Sequence, residues 1–307
     1  MKLLLALVRR LVELAATLFV VFAISFALMQ LVPGGPFDSE RNLPDAVKRN
    51  IEERYGLNRP WPEQFVNQLA NTLRGDLGPS FKLADFNVNQ ILGEGLPISA
   101  ALGIFALTIA LFTGTIAGVV SAVRRNTWLD YSFMSAATFG IAVPSFTLAT
   151  VAILLFVFWL QIFPAGGWGS LRQLILPACC LAAPYAAYIA RLTRGGMLEV
   201  LHQDYIRTAY AKGLGEKRVI LRHALRGALL PVVSFLGPAT ADIMAGSLVL
   251  ERIFNLPGMG SHFVEAALQR DYCLAMGAVL IYTLLLNVMN TLVDLSYTFL
   301  DPRVKVE

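Results

Sequence analysis

Long uncharged apolar runs alternate with short polar breaks along this chain. The runs cover residues 14–37, 97–123, 131–160 and 173–190, then 227–250 with Asp242 as its interruption, and 273–293, which continues to Leu300 past Asp294. A helix needs about 20 mostly apolar residues to cross ~30 Å of hydrocarbon. Each run therefore reads as a membrane span, and the pattern predicts an all-α membrane protein with six transmembrane helices. Between the first two runs lies a polar segment, 38–96, with helix-like stretches at Asp45–Tyr55 and Pro62–Leu73 and breaks at Gly56, Pro60, Gly75, Gly78 and Pro79. The expected organisation is an N-terminus and first span in 1–37, an extracytoplasmic cap in 38–96, and a core of five spans in 97–307 that carries a cytoplasmic loop at 191–228.

The first run follows Lys2, Arg9 and Arg10, as a signal peptide would. A signal peptide has an apolar core of only about 7–15 residues and a small-residue cleavage site. This run is longer and ends in Val32-Pro33-Gly34-Gly35-Pro36, so it is expected to stay as an uncleaved span. Lys and Arg in short loops favour the cytoplasm. Arg124, Arg125, Arg303, Lys305 and the cluster Arg191, Arg194, Arg207, Lys212, Lys217, Arg218, Arg222 and Arg226 share the side of the N-terminus, whereas the short loops opposite hold Arg172, Arg252 and Arg270. Both termini are expected in the cytoplasm.

Composition removes other classes. Of 307 residues, 56% are hydrophobic and 15% charged, against about 45–50% and roughly 25% in soluble domains. That excludes a disordered chain, a coiled coil or an ordinary soluble enzyme, and a net charge of +4 is too small to argue for nucleic acid. Cys179, Cys180 and Cys273 have no metal or disulfide spacing and read as apolar fillers. No Gly-Lys dipeptide occurs, which removes the P-loop, and His202, His223 and His262 all fall outside the spans. No catalytic residue and no metal ligand is expected in this chain.

The spans carry more than an anchor needs. Gly114 and Gly118 form a G-x-x-x-G pair, and Gly237, Ala241 and Ala245 share a stripe; such small residues let helices approach closely in lipid. Pro144, Pro184, Pro231 and Pro238 favour bends. Asp242 is a mid-span acid, which faces protein or water rather than lipid. It reads either as a hydrogen bond to a neighbouring helix or as a functional group, and an ion-coupled secondary transporter would rest on it alone.

The cytoplasmic loop is patterned. Asp204 can cap a helix that Gly213 closes, with Tyr205, Ile206, Ala209 and Tyr210 on one face. After Gly215 a second helix carries Arg218, Arg222 and Arg226 as a cationic stripe. A docking knob for a partner and a basic loop lying on lipid headgroups both fit this pattern.

These residues resemble a known family. Arg207-Thr-Ala-Tyr-Ala-Lys-Gly213-Leu-Gly, followed by Arg222-His-Ala-Leu-Arg-Gly-Ala-Leu-Leu-Pro231, resembles the EAA loop of binding-protein-dependent ABC importer permeases in its peptide-subfamily form. Val32-Pro-Gly-Gly-Pro-Phe37, Gly75-Asp-Leu-Gly-Pro-Ser-Phe81, Trp128-Leu-Asp-Tyr131, Ile189-Ala-Arg-Leu-Thr-Arg194, Glu251-Arg-Ile-Phe-Asn-Leu-Pro-Gly-Met-Gly260, Arg270-Asp-Tyr272 and Leu300-Asp-Pro-Arg303 extend the resemblance to the oligopeptide branch across nearly the whole chain. Dipeptide, nickel or glutathione importers are the alternatives within the family.

The resemblance implies a type I ABC importer permease fold in a bacterial inner (plasma) membrane. It implies a second homologous permease, two ATPase subunits that bind ATP and Mg, and an extracytoplasmic peptide-binding protein. No cofactor is expected in this chain itself. Tyr205, Ile206, Arg207, Thr208, Ala209, Lys212, Gly213, Leu214 and Gly215 would couple to the ATPases. Phe254, Pro257 and Gly258 would belong to a re-entrant gate, and Pro144, Ser145, Ser234 and Asp242 are expected along the pathway.

Overall fold

A computed structural model of the chain describes residues 2–31, 58–83 and 86–300. The Val32–Phe37 motif that ends the first expected span, the helix-like stretch Asp45–Tyr55 with Gly56, and the Asp-Pro-Arg motif at 301–303 lie outside the described residues. So do the side chains of Ala241, Ala245 and Asp294. Among the described residues the chain is helical, apart from one isolated antiparallel bridge between Pro79 and Asn87.

Two compact units divide it, one formed by 1–98, 257–288 and 306–307, the other by 99–256 and 289–305. In the first, helix α1 (Lys2–Leu31) keeps most of its apolar surface exposed, including Leu11, Phe19, Ile24 and Leu28. Hydrocarbon is as apolar as these side chains, so exposure costs nothing there. Its buried edge is aromatic: Phe22 and Phe26 meet Phe65 edge-on, with ring centroids 5.3 and 5.2 Å apart. Phe65 sits on α2 (Trp61–Leu73), the helix that the sequence places at Pro62–Leu73. Gly75, at φ +82°, stops it, with the N–H groups of Gly75 and Asp76 bonded back to the carbonyls of Thr72 and Asn71.

Helix α3 (Val88–Val123) starts nine residues before the span expected at 97–123 and carries Pro97 inside it. Helix α4 (Trp128–Ala142) and helix α5 (Ser145–Trp159) cover the run expected as the third span, but they meet at 106°. The cause is local. Proline disfavours the helical region for the residue before it, so Val143 is extended at φ −95°, ψ 123°, and Pro144 starts a new helix. Helix α6 (Leu171–Val200) begins at a capping box made by Ser170 and Gln173. It runs ten residues beyond the expected span end at 190, so the basic loop starts later than its polarity suggests.

After α7 (Asp204–Ala211), helices α8 (Glu216–Ala228) and α9 (Leu230–Ile253) meet at 53°. Helices α10 (Met259–Gln269) and α11 (Tyr272–Leu300) complete the described chain. By length and composition four helices can cross a membrane, or six if each bent pair counts as one span.

Small residues bring the second unit together. A side-chain carbon on Gly114 would lie 2.5 Å from the carbonyl oxygen of Ala186, and one on Gly118 would lie 2.5 Å from the Cβ of Thr193. The G-x-x-x-G pair therefore seats α3 directly on α6. Gly196 does the same for α8, where an added carbon would meet the Ala228 carbonyl at 2.5 Å.

Candidate functional site

The short helix α7 is closed by backbone chemistry. Gly213 sits at φ +77°, its N–H bonds the carbonyl of Tyr210 at 2.9 Å, and the N–H of Leu214 reaches Ala209 at 3.3 Å. This paired pattern ends a helix at a residue in the left-handed region, which glycine enters without a steric penalty. Gly215 then starts α8, accepting from the N–H groups of Arg218 and Val219 at 2.9 and 3.1 Å.

The helix has an inner and an outer side. Ile206 and Ala209 are buried in a cluster with Ala122, Met197, Val219, Ala224 and Ala228, and Leu214 packs against it. Tyr205, Arg207, Thr208, Tyr210 and Lys212 are exposed. Ile206 and Ala209 thus hold the knob to the body, and the outer face is aromatic and cationic. Asp204, expected as the cap, lies in the first turn instead; its side chain makes a 3.7 Å ion pair with Arg207 on the exposed surface.

A polar cluster joins α3, α4 and α6. Arg194 on α6 holds Asp130 on α4 with two parallel contacts, Nε to Oδ1 and Nη2 to Oδ2, each 2.8 Å. The Ser121 hydroxyl donates to the same carboxylate, and the Asn126 N–H does so at 3.0 Å. Asp130 and Ser121 are both buried. Asp130 and Arg194 each lie inside a motif that carries the family resemblance, yet nothing local signals that they pair.

The residues expected along a pathway are placed separately. Pro144 and Ser145 form the break between α4 and α5. Ser234 donates to the carbonyl of Leu230 one turn earlier. Asp242 is exposed and accepts a 2.8 Å hydrogen bond from the Tyr185 hydroxyl on α6. The bond to a neighbouring helix is present, on a face that stays open.

The 251–260 stretch is a helix stop followed by a helix start. Phe254 is buried in the second unit. Asn255 takes the left-handed conformation at φ +49°, and the Leu256 N–H returns to the Glu251 carbonyl at 2.8 Å. A carbon added to Gly166 would lie 2.0 Å from the Phe254 carbonyl oxygen, which instead accepts the Gly167 N–H at 2.9 Å. Pro257 and Gly258 belong to the first unit, where Gly258 caps α10 and Gly95 leaves room for the backbone of Met259. In that unit Asp271 caps α11 through the Leu274 N–H at 3.2 Å, while its other oxygen accepts from Ser80 and from the Phe81 N–H at 3.2 Å.

The family described as "Binding-protein-dependent transport system inner membrane component" matches residues 114–306. The dipeptide transport system permease protein DppB of Bacillus subtilis (strain 168) is 46% identical over 97% of both chains. The oligopeptide transport system permease proteins OppB of Escherichia coli (strain K12) and Haemophilus influenzae are 45% and 46% identical over 97% of this chain and 98% of theirs. Among solved structures, a chain of the inward-facing MetNI methionine ABC transporter superposes with a TM-score of 0.58 at 16% identity, covering 69% of this chain and 97% of that one. A chain of an amino acid ABC transporter crystallised with histidines gives 0.52 at 16% identity, covering 68% and 93%.

Proposed function

Because this chain belongs to the binding-protein-dependent transport system inner membrane components, we propose that it is the permease subunit of an ATP-driven oligopeptide importer. It forms half of a translocation pathway together with a second, homologous permease. Two ATPase subunits that bind ATP and Mg dock on the cytoplasmic side, and an extracytoplasmic peptide-binding protein delivers the substrate. In this reading each bent pair is one broken span, which gives six spans of a type I permease with both termini in the cytoplasm. The chain itself does no chemistry on nucleotide.

The observation that carries the reading is the glycine-closed helix α7, fixed by Ile206 and Ala209 and presenting Tyr205, Arg207, Thr208, Tyr210 and Lys212 outward. An amphipathic helix laid in a partner's groove gains affinity from such anchors. ATP-driven closure of the ATPase pair would push on this knob, and the buried face would pass the motion to α6 and α8. Nucleotide and peptide can shift the spans only by their differential affinity for the inward- and outward-facing states. Phe254, Pro257 and Gly258, at the stop between α9 and α10, are assigned to the outer gate.

Affinity purification from native membranes is expected to bring down a second permease and two ATPases. The reconstituted assembly, with its binding protein, is expected to drive ATP-dependent uptake of tri-alanine into proteoliposomes. Uptake that needs an ion gradient and no ATPase would overturn the reading. The 46% identity to a dipeptide permease favours one second reading, a dipeptide importer, and faster uptake of di-alanine than of tri-alanine would select it.

A further inference from the structure

Helices α6 and α9 run antiparallel past each other, with Tyr185 bonded to Asp242 and, one turn along α6, the Tyr188 ring against that of Phe235, tilted by 30° at a centroid distance of 4.4 Å. One turn further along α6, Arg191 extends to Thr138 on α4, its Nη2 donating to the hydroxyl at 2.9 Å. Tyr185, Tyr188 and Arg191 follow each other at three-residue spacing, so they line one stripe of α6. Asp242, Tyr188, Arg191 and Thr138 are exposed, and Tyr185 is half-buried. Among the described residues, neither Asp242 nor Arg191 has an opposite charge in ion-pair contact.

A carboxylate and a guanidinium on an open face of spanning helices do not face acyl chains; such groups mark pathways or pair with something that arrives. The ends of this stripe carry opposite charges. The six steps from Tyr185 to Arg191 rise about 9 Å. An extended chain advances ~3.3–3.6 Å per residue, so the ammonium and carboxylate of a peptide of about three residues are separated by that same length. The tyrosine and phenylalanine rings between them offer flat surfaces that do not discriminate among side chains.

Resting on the reading of this chain as a peptide permease, we propose that the stripe Asp242–Tyr185–Tyr188–Phe235–Arg191 is a transit site for short zwitterionic peptides. Asp242, oriented by the Tyr185 hydroxyl, receives the peptide ammonium, and Arg191, oriented by Thr138, receives the carboxylate. The site selects for free termini, independently of any selection made by the binding protein.

The test uses the fully assembled importer in proteoliposomes, at peptide concentrations that saturate the binding protein, so that capture does not limit uptake. The probes are tri-alanine, N-acetyl-tri-alanine and tri-alanine amide. Asp242→Asn keeps an acceptor for Tyr185 but loses the charge. It is expected to slow tri-alanine and its amide about tenfold and leave the N-acetyl peptide unchanged, as loss of one charge-assisted hydrogen bond predicts. Arg191→Gln is expected to slow tri-alanine and the N-acetyl peptide while sparing the amide. Asp242→Glu and Arg191→Lys, which keep the charge, are expected to restore much of the discrimination. Equal losses on all three peptides, or none, would overturn the proposal. So would Asn or Gln variants that no longer co-purify with the companion subunits, because the charges would then pair with the second permease. If the unaltered assembly moves none of the peptides, it is the peptide-importer reading that fails.

Discussion

Arg194 reaches Asp130 across 64 positions of sequence and holds both carboxylate oxygens at 2.8 Å. The pair ties the start of α4 to α6. Asp130 is 3% exposed and Arg194 27%, so removing one partner leaves a desolvated charge. Arg194→Ala, which leaves the buried Asp130 carboxylate unpaired, is expected to cost about 3 kcal/mol of stability. Replacing both residues by leucine is expected to cost much less, because a buried pair exchanged for apolar groups can be near neutral. Unfolding midpoints of the purified complex, compared in a double-mutant cycle, check both values.

Adjacent glycines on α6 should behave oppositely. A carbon added to Gly196 would strike the Ala228 carbonyl oxygen at 2.5 Å, whereas one on Gly195 meets nothing within 4 Å. Gly196→Ala is expected to destabilise by about 1–3 kcal/mol through overpacking. Gly195→Ala is expected to be neutral or to gain ~0.5–1 kcal/mol, since alanine is the better helix residue. The same unfolding assay separates them, and similar effects at both sites would contradict the packing described.

Gly213 has open space around it and a backbone at φ +77°. A substitution there is limited by conformation, not by room. Gly213→Val is expected to strain the cap by about 1–2 kcal/mol and to lower peptide-stimulated ATP hydrolysis and uptake together, with membrane insertion intact. Gly213→Asn, which tolerates the left-handed region, is expected to retain most of both.

The two sides of α7 can be told apart chemically. Cysteine at Arg207 or Tyr210 is expected to cross-link to an ATPase subunit, and cysteine at Ile206 or Ala209 is not. Ile206→Ala is instead expected to destabilise by about 2–4 kcal/mol through the cavity it leaves. Cross-linking yields, read alongside stability, distinguish a contact surface from a support.

How much of this was legible follows from how local each cause is. The helical class, the run positions and the helix stop at Gly213 come from nearest-neighbour chemistry: apolar runs, glycine, a cap. The break at Val143–Pro144 is equally local, although composition alone gives a proline bend and not an angle of 106°. Span ends are less legible. Helix α6 continues to Val200 because Arg191 and Arg194 point to partners on α4, so polar residues there extend a helix that polarity alone would end. The Asp130–Arg194 pair and the grouping of 257–288 with the N-terminal residues rest on contacts far apart in sequence, which no short pattern encodes.

The angle at Pro144 has one more consequence. A helix interrupted partway through a bilayer leaves backbone carbonyls and N–H groups at the two new ends, and Pro144 itself brings no N–H. Oily acyl tails have nothing to offer them. With α4 and α5 taken as one broken span, as proposed above, the elbow between Val143 and Ser145 has to rest against water or other polypeptide, and the shape of the backbone there is itself a demand for a hydrated or sheltered niche inside the membrane.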